Sequence, residues 1–194
     1  MMSRTGLPKS IQAMLAAAAL SAGMATAAWA GDLPTWTVNA EDSTLGFTFK
    51  QYGTPVTGTF ESWTADIAFD PEQLAASSAV VEIRLDSIDT GDASRNDTAK
   101  ESAWFDVEDH PTARFETTGF TSAGAGAYEA EASLTIKGKT VAVTLPFALT
   151  IEGGVAHMEG ETEIDRTAFG IGDSGAVDDT VTVTVDLTAT RSGG

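Results

Sequence analysis

The sequence predicts an all-β protein of roughly eight to ten antiparallel strands, arranged as a meander, sandwich or barrel. Three observations carry this. Apolar residues recur at every second position in several runs, turn-forming residues separate the runs, and the links between them are short. Alternation over five or more residues marks strands with one buried face. Leu45, Phe47 and Phe49 form the first run, Ala65, Ile67 and Phe69 the second, and Val81, Ile83 and Leu85 the third. Ala130, Ala132, Leu134 and Ile136 follow. The longest run is Val141, Val143, Leu145, Phe147, Leu149 and Ile151, and Val181, Val183, Val185 and Leu187 close the series. Pro146 lacks an N–H, so its strand is expected at an edge or with a bulge. Gly53-Thr54-Pro55, Asp70-Pro71-Glu72, Lys137-Gly138-Lys139 and Glu152-Gly153-Gly154 read as turns, and the third as a hairpin. Asp92 to Val107 breaks the pattern. Ser94 with Asp97 resembles a capping box with Asp in place of Glu, and Thr98 to Ser102 continues one or two helical turns. Trp104, Phe105 and Val107 follow before Pro111, so this insertion either caps a barrel end or packs a satellite core of its own.

Composition narrows the function classes. The chain has 194 residues, 11 Lys+Arg, 28 Asp+Glu, two His and no Cys. Without Cys there is no disulfide framework, thiolate metal site or Cys nucleophile. A net charge of −17 argues against nucleic-acid partners, because phosphate contacts need clustered basic residues. Residues 1–30 read as a signal peptide. Arg4 and Lys9 precede an Ala-rich apolar run, and Ala28-Trp29-Ala30 matches an A-x-A cleavage site before Gly31. The alternative, a membrane span, is disfavoured by the run's shortness. Leu20-Ser21-Ala22-Gly23 resembles the start of a lipoprotein signal, but a chain without Cys has no lipidation site, so no stable membrane anchor is expected. Cleavage leaves 194 − 30 = 164 residues, with 9 basic and 28 acidic side chains and a net charge of −19. Export without Cys suits a bacterial periplasm.

Motifs for catalysis are weak. Gly170-Ile171-Gly172-Asp173-Ser174-Gly175 matches G-x-G-x-x-G, but an alternating strand follows where a dinucleotide site needs a helix N-terminus. Gly172-Asp173-Ser174-Gly175 resembles a serine-protease nucleophile loop, yet neither His110 nor His157 stands in a protease-like histidine neighbourhood. Asp86, Asp89 and Asp92 are spaced by three, unlike calcium-loop ligands, and two isolated His residues make no dedicated metal centre. No enzyme, cofactor or metal is expected. What remains is aromatic and aliphatic mass on strand positions. It can fill a core or line an elongated apolar tunnel, and the residues alone leave both open.

Six segments stand in a telling order: Val56-Thr57-Gly58-Thr59-Phe60; Ile67-Ala68-Phe69-Asp70-Pro71-Glu72; Ser87-Ile88-Asp89-Thr90-Gly91 with Arg95-Asn96-Asp97; Trp104-Phe105-Asp106-Val107 with His110-Pro111 and Phe115; Leu134-Thr135-Ile136-Lys137-Gly138; and Ile164-Asp165-Arg166-Thr167-Ala168-Phe169-Gly170-Ile171. Together they resemble the YceI-like family of exported bacterial proteins, across residues 31–194. The chain departs from the family pattern at His110, where an aromatic usually precedes the proline, and at Thr98-Ala99-Lys100, where a Leu is common. The resemblance implies an extended, antiparallel, lipocalin-like β-barrel of about eight strands with a short helix-containing insertion. It also implies a periplasmic location and an apolar cavity for a polyisoprenoid or related amphiphilic lipid, such as an isoprenoid quinone or a fatty acid derivative. Candidate lining residues are Phe47, Phe49 and Phe60; Ile67 and Phe69; Ile83 and Leu85; Trp104, Phe105 and Phe115; and Leu134, Phe147, Phe169 and Val183. Arg95 or Arg166 are the head-group candidates, able to pair with phosphate. Each has a competing structural role: Arg95 in a salt bridge with Asp97 or Asp92, Arg166 in pinning the Asp165 turn. Rival functions are an exported interaction barrel with a filled core and a small exported hydrolase using acidic residues, with His110, His157 and Ser174 as the positions to test.

Overall fold

A computed structural model describes residues 33–172 and 175–192; the expected signal peptide at residues 1–30 lies outside them. Eleven strands alternate apolar and polar side chains: β1 (Thr35–Val38), β2 (Thr44–Gln51), β3 (Thr54–Phe60), β4 (Trp63–Ala68), β5 (Ser78–Arg84), β6 (Ile88–Asp89), β7 (Thr112–Gly124), β8 (Ala127–Ile136), β9 (Lys139–Glu152), β10 (Val155–Asp165) and β11 (Thr180–Arg191). One helix, α1 (Ala93–Lys100), interrupts them. The sheet closes on itself as β1–β4–β5–β7–β8–β9–β10–β11, with β11 returning to β1. β11 also pairs with β2 through Thr182–Asp186, and β2 continues to β3 and β6. β1/β2, β3/β4 and β5/β6 are therefore three long strands, each interrupted once. The interruptions are a 3-10 turn at Ala40–Asp42, the Glu61–Ser62 step and a 3-10 turn at Leu85–Ser87. Counted this way, the protein is a closed eight-stranded antiparallel barrel, which removes free sheet edges.

Local chemistry sets the register. The β8–β9 hairpin turns on Lys137 and Gly138, with φ of 49° and 71°, and the β9–β10 hairpin on Gly153 and Gly154, with φ of 57° and 85°. Two central residues with positive φ match the right-handed twist of the flanking strands. β9 is neither an edge strand nor bulged at Pro146: it lies between β8 and β10, and the missing N–H is accommodated because pairing with β10 stops at Phe147. β9 pairs with β8 from Lys139 to Ala148, but with β10 only between Phe147 and Glu152. Behind the proline the strands part, and the Thr162 hydroxyl bridges them by donating to Thr144 O at 2.8 Å. In β7 a register shift between Thr117 and Gly119 moves the inward face from Ala113, Phe115 and Thr117 to Phe120.

The helix begins one cap earlier than the sequence reading placed it. Asp92, not Ser94, is the N-cap and accepts the Arg95 N–H at 2.9 Å. Asn96 ties α1 to β6: its Oδ1 accepts from Thr90 N at 2.9 Å, and its Nδ2 donates to Asp89 Oδ1 at 3.1 Å. The chain after α1 folds back over the same end of the barrel, where Phe105 packs edge-on against Phe60 with ring centroids 6.0 Å apart.

Candidate functional site

Inward and outward faces differ sharply in chemistry. Outward positions of β8 and β10 carry Glu129, Glu131, Glu159, Glu161 and Glu163, all exposed. Inward positions carry mostly Val, Leu, Ile, Ala and Phe, and they do not fill the barrel. A cavity of about 440 Å³ lies beneath α1, and a second of about 180 Å³ lies deeper. Ligand sites commonly fall between about 300 and 1,000 Å³, so the upper hollow alone reaches that size. At the far end the barrel is filled. Phe69 meets Phe120, Tyr128 and Phe147 edge-on at 5.1, 5.6 and 6.2 Å, and Trp36 Nε1 donates to Phe69 O at 2.9 Å. The interior thus has both features that the residues left open: a hollow toward α1 and an aromatic floor opposite.

Of the candidate lining residues, Phe47, Phe49, Phe60, Leu85, Trp104 and Phe105 face the upper cavity. Ile67, Phe69, Phe115 and Phe147 face the lower one, and Ile83, Leu134 and Val183 border both. Phe169 borders neither cavity. It is 1% exposed and packs with Leu85, Ala113 and Ile136 as structural core. Leu45 and Ile164 also border both cavities but were not among the candidates, although Leu45 shares its alternation with Phe47 and Phe49.

The polar part of the upper cavity is gathered at one mouth. Gln51, Thr90, Asp92, Ser94, Arg95 and Thr98 line it, and Asp92, Ser94 and Thr98 are exposed. The Arg95 guanidinium donates from Nη1 to Thr90 O at 3.3 Å and to Thr90 Oγ1 at 3.2 Å. Its Nε is buried without a hydrogen-bond partner, and Arg95 stands in none of the ion pairs found among the described residues. The expected Asp92 or Asp97 salt bridge is thus absent, since Asp92 is engaged in capping. Beside the mouth, the Gly91 N–H and then the Asn96 amide hold the Asp89 carboxyl below its usual range.

Arg166 is used differently. It is 4% exposed, with Nε donating to Asp178 O (3.0 Å), Nη1 to Ile171 O (2.6 Å) and Gly172 O (2.9 Å), and Nη2 to Val177 O (2.7 Å) and Asp179 Oδ1 (3.0 Å). Its guanidinium also lies 5.9 Å from the centroid of the Trp104 ring. The side chain borders the cavity, but its donors gather the β10–β11 loop. Asp165 pins its own turn by accepting from Thr167 N and Oγ1.

The catalytic alternatives gain little support from the geometry. His110 lies against Gly138 in the β8–β9 hairpin, whereas His157 pairs with Thr188 on the outer wall near the β9–β10 hairpin, at the opposite end of β9. Ser174 lies outside the described residues. Among the described residues, no group of three or more acidic or imidazole side chains is placed to hold a metal ion.

The YceI-like domain model matches residues 36–189. The chain belongs to the YceI-like family. Among related proteins, a UPF0312 protein of Azotobacter vinelandii is 29% identical over 140 residues, 69% of this chain and 70% of that one. A UPF0312 protein of Pseudomonas savastanoi pv. phaseolicola is 27% identical over 197 residues, 93% of this chain and 96% of that one. Among solved structures, Burkholderia cenocepacia BcnA superposes with a TM-score of 0.76 at 33% identity, covering 79% of this chain and 99% of that one. A polyisoprenoid-binding domain from Saccharophagus degradans, implicated in plant cell wall breakdown, gives a TM-score of 0.66 at 15% identity, over 81% of this chain and 98% of that one. That likeness carries the fold, and the YceI-like barrel is the fold seen here.

Proposed function

We propose that this YceI-like protein is an exported, periplasmic carrier for a polyisoprenoid or related amphiphilic lipid, and that it binds its cargo without transforming it. The supporting observation is the hollow: a cavity of about 440 Å³ with apolar walls and one polar mouth inside a closed barrel. Water in such a space makes few hydrogen bonds. Replacing it with a hydrocarbon tail gains roughly 25 cal/mol per Å² of apolar surface buried. The cargo's head sits at the mouth, where Arg95 Nε offers a buried donor to a carbonyl or phosphate oxygen. Arg166, occupied by the loop, is a positioning element for that wall. The Saccharophagus domain described as polyisoprenoid-binding supports the choice of ligand class. The N-terminal Ala28-Trp29-Ala30 signature supports export.

Tryptophan fluorescence tests the reading, because Trp104 borders the upper cavity and Trp36 and Trp63 border the lower one. Titrating delipidated protein with a short-tailed prenyl benzoquinone should quench this emission saturably, at one molecule per chain. Arg95→Met should weaken the binding by about tenfold or more, the worth of a hydrogen bond from a charged donor. An unsaturable response equal to that of free tryptophan would refute the carrier reading.

A further inference from the structure

Five residues are shared by the two cavities: Leu45 on β2, Ile83 on β5, Leu134 on β8, Ile164 on β10 and Val183 on β11. They come from five strands around the barrel and form a collar where the two cavities meet. Above it the lining includes polar groups and opens at the mouth. Below it the walls are almost wholly apolar and end at the Phe69, Phe120, Tyr128 and Phe147 floor. A space divided in this way treats the two ends of an amphiphile differently.

We propose that this collar selects cargo by tail length. Resting on the lipid-carrier reading above, the inference assigns the head and first part of the tail to the upper chamber. The lower chamber is reserved for linear tails long and slim enough to pass Val183 and its neighbours. β11 descends through Val183, Val185, Leu187 and Ala189, all bordering the lower chamber. Six residues at ~3.3 Å each, on strands tilted ~40° to the barrel axis, give the lower chamber a depth of ~15 Å. An extended chain advances ~1.2 Å per bond, since three backbone bonds span ~3.5 Å, so that depth takes about a dozen bonds, or roughly three isoprene units. Each methylene buried there raises affinity about fourfold. Beyond the aromatic floor there is no further apolar wall to gain, so affinity climbs with length and then levels off.

The test compares geraniol, which the upper chamber accommodates, with geranylgeraniol, whose tail must cross the collar. Wild-type delipidated protein should bind geranylgeraniol at least a hundredfold more tightly. Val183→Phe narrows the collar and Val185→Phe fills the chamber beneath it. Either variant, once shown to be folded by circular dichroism, should bring the two affinities within about threefold, and Val185→Phe, which borders the lower chamber and not the upper one, should leave geraniol binding near the wild-type value. Equal affinities in the wild type would overturn the collar while leaving the carrier reading intact, and so would a folded variant that keeps the hundredfold preference. Failure of the wild type to bind either alcohol would overturn both.

Discussion

Arg166→Met separates a structural role from a ligand-binding one. Among the described residues, the wild-type guanidinium satisfies the backbone carbonyls of Ile171, Gly172, Val177 and Asp178, at 2.6–3.0 Å. Its ion pair with Asp179 contributes little, because that carboxylate is 71% exposed. The carbonyls decide the magnitude. A buried acceptor left unmet costs ~1–3 kcal/mol, and some of the four will reach water when the loop relaxes, so the expected loss is ~3–5 kcal/mol. For a domain of this size, each kcal/mol lowers Tm by ~2–4 °C, giving a fall of about 6–20 °C. Thermal unfolding of delipidated protein, followed by circular dichroism, reads this directly. Arg166→Lys should recover only a minor part, because an ammonium cannot present the same fork of donors. A delipidated Arg166→Met protein melting within about 2 °C of wild type would refute the loop-stapling account. Normal melting combined with lost lipid affinity would return Arg166 to the head group.

Three further outcomes follow from the same geometry. Asp92→Ala removes the α1 cap and should cost ~1 kcal/mol in urea unfolding, with faster amide exchange in Ala93–Lys100; unchanged exchange there would contradict the capping role. Gly58→Ala places a methyl group against the Phe47 ring and 2.7 Å from Asp89 O, so overpacking should destabilise the β2–β3–β6 corner by ~1–3 kcal/mol, and a neutral variant would contradict that packing. Asp70, Asp89 and Asp165 have carboxyls held below their usual range, chiefly by the Glu72 N–H, the Gly91 N–H and the Thr167 hydroxyl respectively. A carboxyl whose pKa is depressed on folding adds stability above its unfolded value of ~3.9 and loses it as pH falls through the folded value. These groups therefore leave Tm level between about pH 5 and 8 and lower it below about pH 4. A steady decline already under way from pH 8 to 5 would contradict that assignment.

The legible parts of the fold were those where chemistry repeats along the chain. Val141 to Ile151 and Val181 to Leu187 announce β9 and β11 because every second side chain faces the interior. β10 was hidden because its inward face carries Gly160 and Thr162 beside Ala156 and Met158, and so reads as polar. β7 was hidden by the shift at Thr117, which breaks the period of two. The three interrupted strands were invisible as continuous units, since the kinks at Ala40–Asp42 and Leu85–Ser87 carry no alternation that would join the flanking runs. At the site, aromatic mass pointed to the interior but not to its division. Leu45 and Ile164 acquire meaning only when Leu134, Val183 and Ile83 stand around them. Phe169 was misplaced because burial in core and burial against a cavity look alike in one dimension. The fate of each arginine also depended on partners far along the chain, since the Arg166 staple closes over residues 171 to 179.

Native mass spectrometry of the protein purified from its host tests the central claim most directly. The account predicts a mass surplus matching one amphiphile per chain, which organic extraction removes and identifies as carrying a long isoprenoid-type tail. Bare polypeptide mass, combined with no uptake of added polyprenol or prenyl quinone by the same preparation, would contradict it.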